Sequence, residues 1–159
     1  MRTDVSTPDG GATPTDTILF VYDGSALAAL AIERAGRELA TGRDALVLCV
    51  WQPADVGFEP VNKRHFDADA ATEVRQAAEE TAEFGASLAR HAGFRARGLT
   101  AEAAPTWKGI IHTAEEHHVS LIVLGAHRHT GLVGHLLGGG AAAVVSHATC
   151  SVLVVHPDL

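Results

Sequence analysis

The fold of this chain is decided by its C-terminal stretch, LGAHRHTGLVGHLLGGGAAAVVSHATCSVLVV at positions 124–155. The apolar run LIVL at 121–124 leads into a glycine-rich segment, and a run of small residues and the apolar run SVLVV at 151–155 follow. Short apolar runs of this kind are typical of strands buried on both faces. The stretch therefore predicts a strand, a loop over 125–140, a short helix over 141–147 and a final strand.

Three further strands are predicted upstream. The runs TILFVY at 17–22 and ALVLCVW at 45–51 are apolar and β-branched, as in strands covered on both faces. The stretch 94–102 is partly polar and contains Gly98, which suits the edge of a sheet better than its centre. With helical patterns between the strands, this alternation predicts a mostly parallel sheet with helices on both faces.

The predicted helices have recognisable ends. Ser25 is a candidate N-cap for a first helix that Gly42 would end, and Asp67 starts a longer second helix that Gly93 would end, after a loop over 52–66. Pro105 suits the first turn of a third helix. The apolar positions at helical spacing, which predict the buried faces, are Leu27, Leu30, Ala31, Ala35 and Leu39, then Val74, Ala77, Ala78, Phe84 and Leu88, then Trp107, Ile110, Ile111 and Ala114.

Composition limits the domain count and the class of protein. A chain of 159 residues that is 47% hydrophobic predicts one domain with a two-sided core. Residues 1–16 are rich in Pro, Gly, Thr and Asp and predict a disordered tail, which leaves one domain over 17–159. Cys49 and Cys150 lie in or beside apolar runs, and the tail lacks the apolar core of a signal peptide. We expect a cytoplasmic chain without disulfides.

Net charge and hydropathy argue against two classes of partner. The formal net charge of −7 disfavours nonspecific binding to nucleic acid or to anionic membranes, because both need a basic surface. No apolar stretch approaches the roughly 20 residues that span a bilayer. We therefore expect no nucleic acid and no membrane among the partners, and any anionic ligand must be bound locally.

The glycine-rich loop admits two interpretations. Five glycines lie between Gly131 and Gly140, and small residues allow backbone N–H groups to converge on a phosphate in front of a helix. The alternative is a close-packed connection that binds no ligand. Glycine content alone does not decide between them.

Three stretches outside the loop resemble a known family. Asp23, Gly24 and Ser25 follow the first strand, Val50 lies near the end of the second, and 147–155 reads HATCSVLVV. In these features, and over nearly the whole chain after the tail, the sequence resembles the universal stress protein family.

The nucleotide-binding signature of that family is matched with two departures. The signature is Gly, two residues, Gly, nine residues, Gly and then Ser or Thr. Gly125 and Gly138 match it, whereas Arg128 replaces the second Gly and Gly139 replaces the hydroxyl residue. In nucleotide-binding relatives this hydroxyl contacts phosphate, so the resemblance implies that Gly139 lacks a contact of roughly 1.5–3 kcal/mol. Arg128 either costs about 1–2 kcal/mol, if that position needs a left-handed backbone, or contributes a guanidinium to a phosphate.

The resemblance implies a fold and a ligand site. The fold is an open, Rossmann-like sheet of five parallel strands in the order 3-2-1-4-5, whose ligand crevice lies at the switch point between strands one and four. ATP or a related adenine nucleotide is the implied cofactor, with the Val50 backbone at the adenine. Asp23 would hold Mg²⁺ that accompanies a triphosphate, or instead form an Asx-turn. The candidate nucleotide-binding residues are Tyr22, Asp23, Val50, Gly125, His127, Arg128, Gly138 and Gly139.

The predicted function is a stress-response regulatory module that binds an adenine nucleotide and acts on an unknown protein partner. The alternative is a dimeric interaction protein of the same fold that binds no nucleotide, which the departures at Arg128 and Gly139 favour. Phosphoryl-transfer chemistry would need a placed base and a second metal or a basic clamp. The sequence indicates neither, so we expect no enzyme.

Two further patterns concern assembly and metals. The apolar residues Val152, Leu153, Val154 and Val155 fall in a predicted edge strand that no lysine protects, which favours pairing with a second copy in a homodimer. The histidines at 127 and 129, and those at 112 and 117 with Glu116, invite a metal interpretation. Neither thiol lies near them in sequence, which favours the alternative that they lie at the surface.

Overall fold

The chain folds around a central sheet of five parallel strands in the computed structural model, which describes residues 15–52, 68–129, 136–137 and 139–158. The sheet order is β3-β2-β1-β4-β7, so the predicted order 3-2-1-4-5 is confirmed with β7 as the fifth strand. In chain order the strands are β1 Ile18–Val21, β2 Asp44–Trp51, β3 Arg95–Glu102, β4 Leu121–Gly125, β5 Arg128–His129, β6 Leu136–Leu137 and β7 Ser151–Val155.

In the part of the chain that the structure describes, four helices cover the two faces of the sheet, as the alternation of strands and helices predicts. They are α1 Ala26–Glu38, α2 Ala68–His91, α3 Thr106–Glu116 and α4 Gly139–His147. Because side chains alternate along a strand, Ile18 and Phe20 of β1 pack on the α1 and α2 side, while Leu19 packs on the α3 and α4 side. All three are fully buried, which makes β1 the centre of a two-sided core.

The first helix ends earlier than predicted. Leu39 is its C-cap and donates its N–H to the Ala35 carbonyl over 2.9 Å. Gly42, predicted to end this helix, lies beyond it with a φ of +81° and donates to the Gly93 carbonyl over 2.7 Å. Its positive φ serves the turn into β2 rather than the helix end. Gly93, at φ +104°, follows α2 as predicted.

The buried face of α2 matches the predicted one in part. Ala78 is buried as predicted, whereas Ala77 is exposed and Phe84 is 59% exposed. Other buried residues of this helix include Ala82, Ala86 and Ala89. A Cβ added to Gly98 of β3 would lie 3.0 Å from the backbone of Ala82, so helix and sheet are nearly in contact. Only a small side chain such as that of Ala82 fits at this contact.

Some segments lie at the limits of the described residues. Asp67 and nearly all of the loop predicted over 52–66 are outside them. Thr15 and Asp16, which the sequence assigns to the tail, contact the domain: the Thr15 N–H donates to the His118 carbonyl over 3.2 Å, and Asp16 pairs with Arg43 at 2.9 Å. None of the described helices is long and apolar enough to cross a membrane.

Candidate switch-point site

The candidate site lies where β1 ends between its two neighbours. The ladder between β1 and β2 ends at the pair Val21 and Leu48. The Tyr22 N–H then donates to the Leu48 carbonyl over 2.9 Å. In a parallel ladder the N–H and C=O of one residue point to the same neighbouring strand, and those of the next residue point the other way. The backbone N–H and C=O groups of Leu48 therefore point toward β1. Those of Val50, two residues further along and beyond the last pair of the ladder, point the same way.

The opposite wall is the end of β4. The Ala126 N–H donates to the Val155 carbonyl of β7 over 2.9 Å. By the same alternation, the backbone groups of Gly125 point the other way, toward β1. The ladder between β1 and β4 ends at Phe20 and Val123, before Gly125 is reached. Val50 and Gly125 thus direct backbone N–H and C=O groups toward the same crevice beyond the end of β1.

The turn after β1 forms the floor of this crevice. Asp23 is exposed, and its Oδ1 accepts a hydrogen bond from the Ser25 N–H over 2.9 Å. Gly24 has a φ of +84°, which glycine adopts without steric cost. The Asx-turn left open for Asp23 is therefore present, and it uses one of the two carboxylate oxygens.

The residue after this turn caps α1. The Ser25 Oγ accepts from the Ala28 N–H over 3.1 Å, so the N-cap predicted for Ser25 is confirmed. This hydrogen bond satisfies one of the free N–H groups at the helix start. The hydroxyl of Ser25 is therefore engaged in capping α1.

Tyr22 lies beside the crevice but turns its ring away from it. The side chain is 3% exposed and packs on the α1 and α2 side, with its ring centroid 6.5 Å from that of Phe84. Burial raises the pKa of the Tyr22 hydroxyl, and the neighbouring Asp23 carboxylate raises it further. Any contact of Tyr22 with a ligand in the crevice would therefore involve its backbone.

Gly125 has a packing role that the signature does not reveal. A Cβ at this position would lie 2.7 Å from Cγ and 3.0 Å from the carbonyl oxygen of Leu27, in the first turn of α1. Glycine therefore lets β4 end directly against the start of α1. Gly109 of α3 similarly lies against Val50, with a Cβ position 3.2 Å from Cγ1 of the valine. Leu27 and Gly109 thus shape the site, and the sequence indicated Leu27 only as a core position.

The rest of the signature begins with a small antiparallel sheet. Arg128 pairs with Leu137, and His129 with Leu136. The backbone of Arg128 is therefore that of a strand, so the cost of a left-handed conformation does not apply there. This sheet, β5 and β6, was not predicted within the glycine-rich loop.

The other signature residues flank that sheet. His127 is exposed, next to the end of β4. Gly139 is the first residue of α4, so the backbone N–H groups of the first turn of α4 follow the signature directly. Gly138 lies outside the described residues.

Comparison with known proteins identifies the family of this chain. The sequence pattern described as the universal stress protein family matches residues 14–156. The chain belongs to that family. Among solved structures of this fold is the hypothetical protein MJ0577, with 21% identity and a TM-score of 0.72 over 92% of this chain and 99% of that chain.

Two further solved structures of the family fold contain nucleotides. A universal stress protein in complex with cAMP shares 22% identity, with a TM-score of 0.64 over 92% of this chain and 100% of that chain. The universal stress protein from Archaeoglobus fulgidus in complex with dAMP shares 17% identity, with a TM-score of 0.56 over 88% of this chain and 96% of that chain. At these identities the likeness establishes the fold, and the bound nucleotides belong to those proteins.

The predicted edge strand is present as β7, which pairs with β4 at one edge of the sheet. Val152, Leu153 and Val154 are half-buried in the single copy, so each retains exposed apolar surface. Val155 is different, because it is buried with 6% exposure in the core beside α1. A partner strand would therefore contact the first three side chains and the backbone of β7.

Of the histidines considered as metal ligands, His112 and His127 are exposed and His117 is half-buried. His112 is exposed on α3, 3.9 Å from the Glu116 carboxylate, and His127 is exposed beyond β4. Within the described ranges, no three His, Cys, Asp or Glu side chains come together as a metal site. Neither Cys49 nor Cys150 forms a disulfide bond.

Proposed function

We propose that this chain is a regulatory module that binds an adenine nucleotide in the crevice beyond the end of β1. The observation that carries the proposal is the pair of opposed backbone walls. Val50 on β2 and Gly125 on β4 both direct N–H and C=O groups into the space that β1 vacates. Ligands of open α/β sheets bind at such a switch point. The two solved structures described above share this fold and are complexes with cAMP and dAMP.

The two walls suit different parts of a nucleotide. The Val50 backbone offers one donor and one acceptor, which match the edge of an adenine ring. We propose that the phosphate lies on the Gly125 side, because the chain continues there through His127 and Arg128, α4 begins at Gly139, and N–H groups and a guanidinium suit phosphate. Gly139 cannot donate a hydroxyl hydrogen bond, so we propose weaker binding than in a chain with Ser or Thr at that position.

Mg²⁺ would enter only with a triphosphate. The exposed Asp23 carboxylate lies on the crevice floor with one oxygen outside the Asx-turn hydrogen bond. Carboxylate and phosphate oxygens are preferred Mg²⁺ ligands. We propose that monophosphates such as cAMP bind without Mg²⁺, because a single phosphate carries less negative charge than a triphosphate.

We propose regulation rather than catalysis as the role of the site. The Ser25 hydroxyl caps α1 and Asp23 holds its own turn, so both polar side chains at the end of β1 have structural hydrogen bonds. A cytoplasmic location fits a chain whose two cysteines form no disulfide.

Titration calorimetry of the native chain with cAMP, AMP and ATP, with and without Mg²⁺, tests the proposal. We expect binding of at least one of them, and Arg128→Gln should weaken it by removing the guanidinium. Arg97→Gln is the matched control, because Arg97 is an exposed arginine of β3 among residues at the amino ends of the strands. Absence of binding by the native chain to all three nucleotides would contradict the proposal.

A second candidate function is a homodimeric interaction protein without a nucleotide. It is supported by the half-buried apolar residues Val152, Leu153 and Val154 on the edge strand β7. Pairing two copies of β7 about a twofold axis would satisfy the backbone groups of both edges. Light scattering at micromolar concentration distinguishes the states, and a dimer that binds none of the nucleotides would favour this candidate.

A further inference from the structure

The residues that follow β7 contact the exit of β4 through a histidine. The ring nitrogen Nδ1 of His156 lies 2.8 Å from the Ala126 carbonyl oxygen. Because a carbonyl oxygen only accepts hydrogen bonds, Nδ1 carries the proton and donates it. The Ala126 N–H in turn donates to the Val155 carbonyl over 2.9 Å. Both backbone polar groups of Ala126 are thus bonded to consecutive residues at the end of β7.

Ala126 occupies a decisive position for the site. It is 5% exposed and lies between Gly125, which forms one wall of the crevice, and the exposed His127. The Ala126 N–H belongs to the peptide unit that joins Gly125 to Ala126, and the Ala126 C=O belongs to the unit that joins Ala126 to His127, so one hydrogen bond orients each of these two units. The direction in which the chain leaves β4 toward Arg128 therefore depends on the His156 ring as well as on the β4 and β7 ladder.

The histidine is itself held by α1. Arg34 donates from Nη1 to the His156 carbonyl over 3.2 Å and forms an ion pair with Asp158. Exposed ion pairs contribute little stability, but they restrict the geometry of a flexible segment. The segment 156–158 is thus fastened to α1 on one side and to the exit of β4 on the other.

We infer that His156 is a positioning residue, which orients the turn from Gly125 to Arg128 through its hydrogen bond to Ala126. The effect on ligand affinity rests on the proposed function, since it requires a nucleotide in the crevice. The effect on the turn itself is independent of any ligand. The two can therefore be measured separately.

The experiment compares His156→Asn with His156→Gln. The side-chain amide nitrogen of asparagine can occupy the place of Nδ1 and donate to the Ala126 carbonyl. The amide nitrogen of glutamine occupies the place of Nε2 instead, so the glutamine variant loses this hydrogen bond. Hydrogen exchange of the Ala126 and His127 amides in ligand-free protein reports on the turn. Losing one hydrogen bond should accelerate this exchange about two- to tenfold in the Gln variant, and the Asn variant should exchange like the native chain.

Calorimetry with cAMP, and with ATP and Mg²⁺, is the second readout. We expect the Gln variant to bind about two- to tenfold more weakly than the native chain, and the Asn variant to restore affinity. Equal exchange in both variants, whether native or accelerated, would overturn the inference, because the donor at Nδ1 would then have no specific role. Native affinity in a Gln variant with accelerated exchange would overturn its ligand part.

Failure of the proposed function gives a different result. If the native chain binds no nucleotide while the Gln variant alone exchanges faster, the positioning role stands and the nucleotide proposal falls. A perturbation from α1 provides an independent check on the same turn. Arg34→Gln should accelerate the same amides, whereas Arg37→Gln should not, because Arg37 pairs only with Glu33 of its own helix among the described contacts.

Discussion

Replacing Gly125 by alanine separates the packing role of this residue from any role in ligand binding. The added Cβ would lie 2.7 Å from Cγ of Leu27 and 3.0 Å from its carbonyl oxygen. The leucine side chain can adjust, but the oxygen belongs to the backbone in the first turn of α1. Either the start of α1 or the end of β4 must therefore shift, whether or not a nucleotide is present.

The size of this effect follows from the cost of overpacking. Extra methyl groups forced into a packed interior cost about 1–3 kcal/mol. In a domain of this size 1 kcal/mol lowers the Tm by about 2–4 °C, so Gly125→Ala should lower it by roughly 2–12 °C. Gly140→Ala is the matched control, because nothing lies within 4 Å of its Cβ position in α4. It should be neutral or stabilising by up to about 1 kcal/mol.

Urea unfolding of both variants without nucleotide measures the two free energies directly. The m-value should stay unchanged, since neither substitution alters the surface exposed on unfolding. A Gly125→Ala variant as stable as the native chain would refute the packing argument. Equal destabilisation by Gly140→Ala would refute it too, because the loss would then not depend on the contact with Leu27.

Four further predictions concern other residues. Ser25→Ala should lower the free energy of unfolding by about 1 kcal/mol, because α1 loses its N-cap; chemical denaturation measures this, and an unchanged midpoint would contradict it. Tyr22 is the only tyrosine of the chain, and its raised pKa means that the native state holds the proton more tightly than the unfolded state. Tyrosinate absorbance should therefore titrate above pH 10.0, and stability should fall as the pH rises past that value; a lower midpoint, or the same alkaline loss in Tyr22→Phe, would exclude this cause. Gly139→Ser should tighten nucleotide binding by up to about a hundredfold, since a phosphate contact of roughly 1.5–3 kcal/mol is added, and calorimetric equality with the native chain would argue against this contact. Val154→Lys should weaken a homodimer built on β7, and a lysine variant that remains fully dimeric in light scattering would place the contact elsewhere.

Strands and helices were predictable where local pattern and burial agree. The run that forms β1 is apolar throughout because Ile18, Leu19 and Phe20 are all covered, and apolar runs carry that information directly. Phe84 shows where local pattern fails. It falls near the helical spacing of an apolar face, yet the α2 residues that approach the sheet most closely are Ala82, against Gly98, and Gly85, against Tyr22. That approach depends on a contact between distant segments, which periodicity does not encode.

The candidate site was predictable only in part. Asp23, Val50 and Gly125 could be placed at strand ends, and the strand order came from the family resemblance. Which way the backbone of Val50 points depends on the register of two ladders, and a sequence does not state register. The strands β5 and β6 have two residues each, too few for a repeating pattern. The bond from His156 to Ala126 joins residues 30 positions apart, and no local signal marks it.

The position of β1 in the sheet has a consequence for synthesis of the chain. Ile18 pairs with Ala45 on one side and with Leu121 on the other, so its two neighbours emerge from the ribosome at very different times. β2 and β3 can join β1 early, with α1 and α2 covering one face. The second edge of β1 then stays unpaired until β4 has been made. Such late parallel pairing slows folding and leaves an open apolar strand edge in the nascent chain. Chaperone binding during translation should therefore centre on the strand that ends up most deeply buried.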